Sequence, residues 1–144
     1  MIAIGSDHGG YDLKVKIMEY LDEKGIAYKD MGCYSKASVD YPEFGHAVAK
    51  AVADGSCEKG IVVCTTGIGI SIAANKVPGI RCALCSDTLS AKMTRLHKDA
   101  NVLALGGGML GTNLGLDIVE TFLNTPFSGE EKHQRRINQL ETID

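Results

Sequence analysis

Cys64 opens the stretch of this chain best equipped for chemistry. It is followed by Thr65-Thr66-Gly67-Ile68-Gly69-Ile70-Ser71, a small, polar, glycine-rich run, and then by Ile72-Ala73-Ala74-Asn75-Lys76, which predicts the first turns of a helix. A thiol in such a place is a candidate nucleophile or base, because helix N-termini and nearby cations favour the thiolate. Glycines let main-chain N–H groups approach an anion closely, and a helix N-terminus adds partial positive charge. The pattern sets a reactive sulfur beside an oxyanion cradle. Cys33, Cys57, Cys82 and Cys85 have no such surroundings and read as inert, buried thiols.

Other candidates are weaker when judged alone. Asp7 and His8 follow an apolar run, where ligand-facing residues belong, although Asp7 serves equally as a helix cap. Thr66 has two uses open to it, hydrogen bonding to a ligand and capping of the next helix. Tyr41, before Pro42, either lines a site or packs at a turn. His97 stands alone after a helical pattern, as a surface histidine would. His133 and Arg136 are three apart and share a helix face, while Arg135 reads as solvated and His46 as structural.

These residues need a scaffold, and the periodicity supplies one. Strand signals fall at Met1–Ile4, Ile26–Asp30, Ile61–Cys64, Cys82–Cys85 and Val102–Leu105. Helical spacing recurs at Leu13-Ile17-Tyr20-Leu21, at Phe44-Val48-Ala51-Val52, from Ile72, from a cap at Asp87 through Leu96, at Leu114–Leu123, and in a charged tail from Glu130 to Ile143. Ser35 to Pro42 reads as a loop. Strands alternating with helices predict an α/β fold, a doubly wound parallel sheet of five strands, in which ligands bind outside the carboxyl ends of strands.

Composition narrows the function classes. A chain of 144 residues is one domain with room for a core. A formal charge of −3 gives no general attraction to nucleic acid or anionic membrane. No apolar run nears the ~20 residues that span a bilayer, and the strand-like N-terminus is expected to carry no signal peptide. Five cysteines without ligand spacing argue for free thiols in the cytoplasm and against a metal site. A Walker A loop lacks its Gly-Lys-Ser/Thr, a dinucleotide fingerprint would need glycine where Ile72 stands, and a cysteine phosphatase would need arginine where Ile70 stands.

Asp7-His8-Gly9-Gly10, Asp40-Tyr41-Pro42, Cys64 through Lys76, Arg95 with His97, Asp99 to Leu105, and His133 with Arg136 together resemble the ribose-5-phosphate isomerase B family, the LacAB/RpiB sugar-phosphate isomerases. The resemblance spans almost the whole chain, and its most specific part is the GIGISIAANK run. It implies a Rossmann-like αβα sandwich of one domain, 1–144, with a C-terminal helix. It also implies a homodimer or homotetramer with the active site at a subunit interface, acting on a sugar phosphate without metal or cofactor. The implied reaction interconverts ribose 5-phosphate and ribulose 5-phosphate through an enediolate.

By the same resemblance Cys64 is the base, Thr66 assists proton handling and His97 opens the furanose ring. Asp7, His8, Tyr41, Thr65 and the Gly67-Ile68-Gly69-Ser71 anion hole contact the sugar, and Lys132, His133 and Arg136 hold the phosphate. Four departures stand out. Gly108 replaces an arginine, Lys132 replaces a second arginine, Lys98 replaces an asparagine and Thr65 replaces the glycine after the base. Lys98 is expected to restore part of the lost positive charge at the substrate. The departures keep two alternatives open, an isomerase of a six-carbon sugar phosphate such as allose or galactose 6-phosphate, and a sugar-phosphate-binding module without turnover.

Overall fold

The computed structural model of the protein describes residues 1–143. The strands are β1 (Ile2–Ser6), β2 (Tyr28–Asp30), β3 (Lys59–Cys64), β4 (Cys82–Leu84) and β5 (Val102–Gly106). They form one parallel sheet in the order β2-β1-β3-β5-β4. The three central strands are buried almost throughout, as expected when both faces are covered, and the two edge strands span three residues each.

Side-chain alternation divides the core. Ile2, Ile4, Ile61, Val63, Leu103 and Leu105 face α1 (Tyr11–Glu23), α4 (Thr88–Lys98) and α5 (Thr112–Asn124), meeting Leu13, Ile17, Ala91, Ile118 and Phe122. Ala3, Val62, Cys64, Val102 and Ala104 face α2 (Tyr41–Ala53) and α3 (Ile68–Asn75). The second face is built from smaller residues, and α2 and α3 pack closely there. A Cβ at Gly45 would lie 3.0 Å from the Ala73 Cβ. Each fully buried Ile, Leu or Phe stabilises the fold by about 1.5–3 kcal/mol. The last helix, α6 (Glu131–Glu141), packs on α4.

Two expected boundaries move. The loop expected through Pro42 ends earlier, because α2 begins at Tyr41, with Asp40 as its N-cap and Pro42 in the first turn. Proline fits there, since the N–H it lacks would have no helical partner. Likewise α3 begins at Ile68, not Ile72. Gly67 takes a left-handed φ of 79° as its N-cap, so Ile68, Gly69, Ile70 and Ser71 form the first helical turn. A glycine at that φ turns the chain sharply from strand into helix.

The connection from β1 to β2 leaves the sheet centre in one direction, and the path to β3 leaves in the other. The order therefore reverses between β1 and β3, and the crevice at their carboxyl ends is where open α/β sheets bind ligands.

Candidate active site

That crevice is built from three chain segments. After β1, the Asp7 carboxylate accepts the Gly10 N–H at 3.0 Å and caps the turn His8–Gly10. The next residue, His8, is exposed, and its Nδ1 accepts the Val39 N–H at 3.2 Å. The neutral ring then carries its proton on Nε2. Gly10 has no room for a side chain, since a Cβ there would lie 2.3 Å from the Val63 carbonyl oxygen. The β1 turn can thus press directly onto β3.

After β3, Cys64 is buried at 5% exposure, and its Sγ accepts the Gly67 N–H at 3.2 Å. Thr66 Oγ1 accepts the Ile68 N–H at 3.2 Å, which is the capping use foreseen for it. Ser71 donates its N–H to the Gly67 carbonyl and its hydroxyl to that of Ile68. Three of the four residues expected to form an anion hole, Gly67, Ile68 and Ser71, therefore have acceptors for their N–H groups within the chain. The first turn of a helix leaves its N–H groups without helical partners, and here half-buried Gly69 lies at the crevice while Ile70 is wholly buried. The Tyr41 ring lies against Gly69, where a Cβ would come within 2.7 Å of it. After β5, Gly107 and Gly108 donate their N–H groups to the carbonyls of Cys64 and Thr65, both at 2.8 Å, extending the β3–β5 ladder beyond the strands.

A second cluster lies elsewhere. The imidazoles of His97, in the last turn of α4, and His133 on α6 stack with centroids 4.2 Å apart and planes inclined by 16°. His133 is buried, and its Nε2 lies 3.1 Å from Glu130 Oε2. Burial first, and the neighbouring His97 second, hold its pKa below that of an ordinary imidazole. Neutral His133 donates from Nε2 to Glu130, and its buried Nδ1 has no partner among the described residues. Lys98, Lys132 and Arg136 are exposed nearby in sequence on the same two helices, whereas Arg135 pairs with Glu131 at 2.9 Å as a solvated surface residue.

The two clusters occupy opposite edges of the sheet. Cys64 is level with Gly106 at the end of β5, while Val102 at its start is level with Gly60. In a parallel crossover α4 runs back against the strand direction, so His97 finishes near the start of β5. The anchoring agrees, because Arg81, just before β4, donates to the carbonyls of Lys98 and Asp99. The four residue rises of β5 alone amount to roughly 13 Å. Asp7, His8, Tyr41, Cys64, Thr65, Thr66, Gly67, Ile68, Gly69 and Ser71 thus gather at one edge. His97, Lys98, Lys132, His133 and Arg136 gather at the other, and one protomer does not bring the sets together.

Of the remaining thiols, Cys33, Cys57 and Cys85 are buried and Cys82 is partly so. Burial pushes the Cys82 thiol up to about 12 and the Cys85 thiol up to about 11, so both stay protonated and inert. Sequence patterns overlook two cations that hold these edges together. Lys14 is fully buried against Asp30, and Arg81 lies beneath α4. Their partners are distant in sequence, so no spacing marks them.

Residues 2–140 match the model of the Ribose/Galactose Isomerase family. The chain superposes on the structure of Clostridium thermocellum ribose-5-phosphate isomerase B with a TM-score of 0.95 and 52% identity, covering 97% of this chain and 94% of that one. It is 43% identical to the ribose-5-phosphate isomerase B of Escherichia coli strain K12, over 99% of this chain and 95% of the relative. It is also 40% identical to the galactose-6-phosphate isomerase subunit LacB of Clostridium acetobutylicum, over 99% of this chain and 83% of that subunit. The parallel sheet, the strand-end crevice and near full-length identity agree, and the chain belongs to the Ribose/Galactose Isomerase family.

Proposed function

We propose that this protein is an aldose–ketose isomerase that interconverts ribose 5-phosphate and ribulose 5-phosphate, and that two protomers complete each active site. The carrying observation is the division of the candidate residues between opposite sheet edges. Cys64 and His97 belong to one reaction only if the crevice of one copy meets the α4–α6 edge of another. Such an arrangement requires a homodimer or a larger assembly containing it.

The chemistry divides the same way. His97 moves a proton from the anomeric hydroxyl to the ring oxygen, which breaks the C–O bond of the furanose and frees the aldehyde. Cys64, as thiolate, then removes the C2 proton, and the electron pair left behind forms the enediolate. Gly67 already aims its N–H at the sulfur that carries the charge. The N–H of Gly69 faces the developing oxyanion, a contact stronger in the transition state than in the ground state. Return of the proton to C1, with an oxygen proton passing between O1 and O2 beside Thr66, gives the ketose. Asp7, His8, Tyr41 and Thr65 contact the sugar chain. Lys132, His133 and Arg136 hold the phosphate, with Arg136 suited to bidentate contact and Lys98 adding charge. The enediolate is stabilised by main-chain donors, so the reaction needs no metal, and the free cysteines suit the reducing cytoplasm.

The 52% and 43% identical relatives named for ribose 5-phosphate support the pentose substrate. A six-carbon sugar phosphate is the second reading. It is supported by the LacB relative and by Thr65 and Gly108 changing the crevice wall together.

Turnover of ribose 5-phosphate, allose 6-phosphate and galactose 6-phosphate by purified protein in EDTA tests the proposal. We expect ribose 5-phosphate to be preferred, and Cys64→Ser to abolish turnover while ligand-induced thermal stabilisation persists. Preference for a hexose phosphate selects the second reading. No turnover of any of them, with stabilisation retained, identifies a binding module.

A further inference from the structure

One residue, Arg81, ties the end of α4 to the end of α6. Arg81 precedes β4, and its side chain is about four-fifths buried. Its backbone N–H donates to Asn101 Oδ1 at 2.8 Å. Nε donates to the Lys98 carbonyl and Nη2 to the Asp99 carbonyl, both at 2.9 Å. Nη1 reaches α6 at Glu141 Oε1, 2.6 Å away. Three arms of one planar group therefore join the end of α4 to the end of α6.

The segment held by those arms is conformationally demanding. Asp99, the C-cap of α4, has φ 47° and ψ 44° and is the one non-glycine residue of positive φ among the described residues. Side chains resist that conformation, which persists where the surroundings over-determine it. Here Arg95 Nη1 binds the Asp99 carboxylate at 2.7 Å and also the Ala100 carbonyl, while Arg81 binds the Asp99 carbonyl. His97 stands two residues before this clasp and stacks on His133 of α6. A shift of α6 relative to the end of α4 would separate the two rings and carry Lys132 and Arg136 with them.

We propose that Arg81 is a positioning residue. It locks the His97 imidazole and the phosphate-holding helix α6 into one rigid unit, so that gripping the phosphate places the sugar ring at His97. This inference rests on the roles given above to His97 and α6. Lysine cannot replace the group, because a point charge on a flexible stem does not reach three acceptors in fixed directions.

A double-mutant cycle on Arg81→Lys and His97→Asn tests it, with kcat and KM for ribose 5-phosphate, thermal midpoints, and solvent-deuterium exchange into C1 of ribulose 5-phosphate. The ketose cannot close a furanose, so exchange reports proton abstraction by Cys64 without ring opening. We expect Arg81→Lys to fold, to keep exchange at saturating ketose within about threefold, and to lose about 10- to 100-fold in kcat for the aldose. In the His97→Asn background the same change should cost almost nothing more, because the two residues act through one group. Losses that multiply in the double variant, or an equal fall in exchange and isomerisation for Arg81→Lys alone, overturn the positioning role. If His97→Asn loses exchange and isomerisation equally, the ring-opening role falls, while the cycle still decides whether Arg81 acts through His97. Should Arg81→Lys fail to fold, Glu141→Ala removes only the α6 arm and is read in the same cycle.

Discussion

Gly108 donates its N–H to the Thr65 carbonyl at 2.8 Å, and the Thr65 methyl fills the space into which a side chain at 108 would grow. A Cβ there would lie 2.8 Å from Thr65 Cγ2. Thr65 also presses its hydroxyl against the turn after β1, since a Cβ at Gly9 would meet Oγ1 at 2.0 Å. Two departures that the family resemblance implies, a side chain gained at 65 and one lost at 108, thus meet as a single exchange of volume across the β3–β5 ladder. Restoring arginine alone should fail. We expect Gly108→Arg to leave KM for ribose 5-phosphate unchanged or higher. Thr65→Gly with Gly108→Arg should lower it about tenfold, the scale of one hydrogen bond to a charged group. Equal KM values for the single and double variants would sink the steric coupling.

The stacked histidines make stability depend on pH. Burial and the adjacent His97 oppose protonation of His133, as do Lys132 and Arg136, while Glu130 favours it, and the net direction is downward. As pH falls, the unfolded chain therefore takes up the proton before the folded one. Stability is full above the unfolded imidazole value of about 6.5 and declines as pH drops through the lower folded value. Chemical denaturation between pH 7.5 and 5 should show this loss, and His133→Gln should reduce its slope. An unaltered slope in that variant would refute the assignment to His133.

Lys14 supports the crevice from beneath. Its ammonium is wholly buried, 2.7 Å from Asp30 Oδ1 and hydrogen-bonded to the Cys33 carbonyl. Asp30 in turn accepts the Gly32 N–H at 3.0 Å. These bonds anchor the connection from β2 to α2, which supplies the Val39 N–H to His8 and ends at Tyr41. Removing one partner strands a carboxylate and a carbonyl. Lys14→Met should thus cost about 2–4 kcal/mol in a denaturant titration and raise KM, because His8 and Tyr41 lose a fixed base. A midpoint equal to that of the parent protein would show that the pair contributes little.

Much of this was legible in sequence where physics is local. β1, β3 and β5 are apolar because both faces are covered, and each is marked. Asp87 caps α4 through Ser90 as its type predicts. The start of α3 is hidden because glycines that read as loop occupy a helical turn, and Tyr41-Pro42 hides the start of α2 because proline is tolerated in a first turn. Residue type and surroundings identified Cys64 as a candidate, whereas His97, alone after a helical pattern, was marked only by the family resemblance. Their separation follows from chain order, since one ends a strand and the other precedes one. Arg81 and Lys14 carry no local signature, because every partner that gives them a role is brought by the fold.

That separation gives the sharpest prediction. Cys64→Ser and His97→Asn should each be inactive on ribose 5-phosphate when expressed alone. In a two-fold dimer with shared sites, a hybrid of the two variants contains one site with both lesions and one with neither, because the intact Cys64 comes from one chain and the intact His97 from the other. Random pairing makes about half of the dimers hybrids, each with one working site of two, so co-expression should recover about a quarter of the parent activity. A site lying within one chain recovers nothing, since every protomer carries a lesion of its own. Tagging the two chains differently and isolating the hybrid sharpens the comparison, with about half of the parent activity expected in that fraction. Activity that stays at the level of either single variant would place Cys64 and His97 in a site within one chain and remove the shared site.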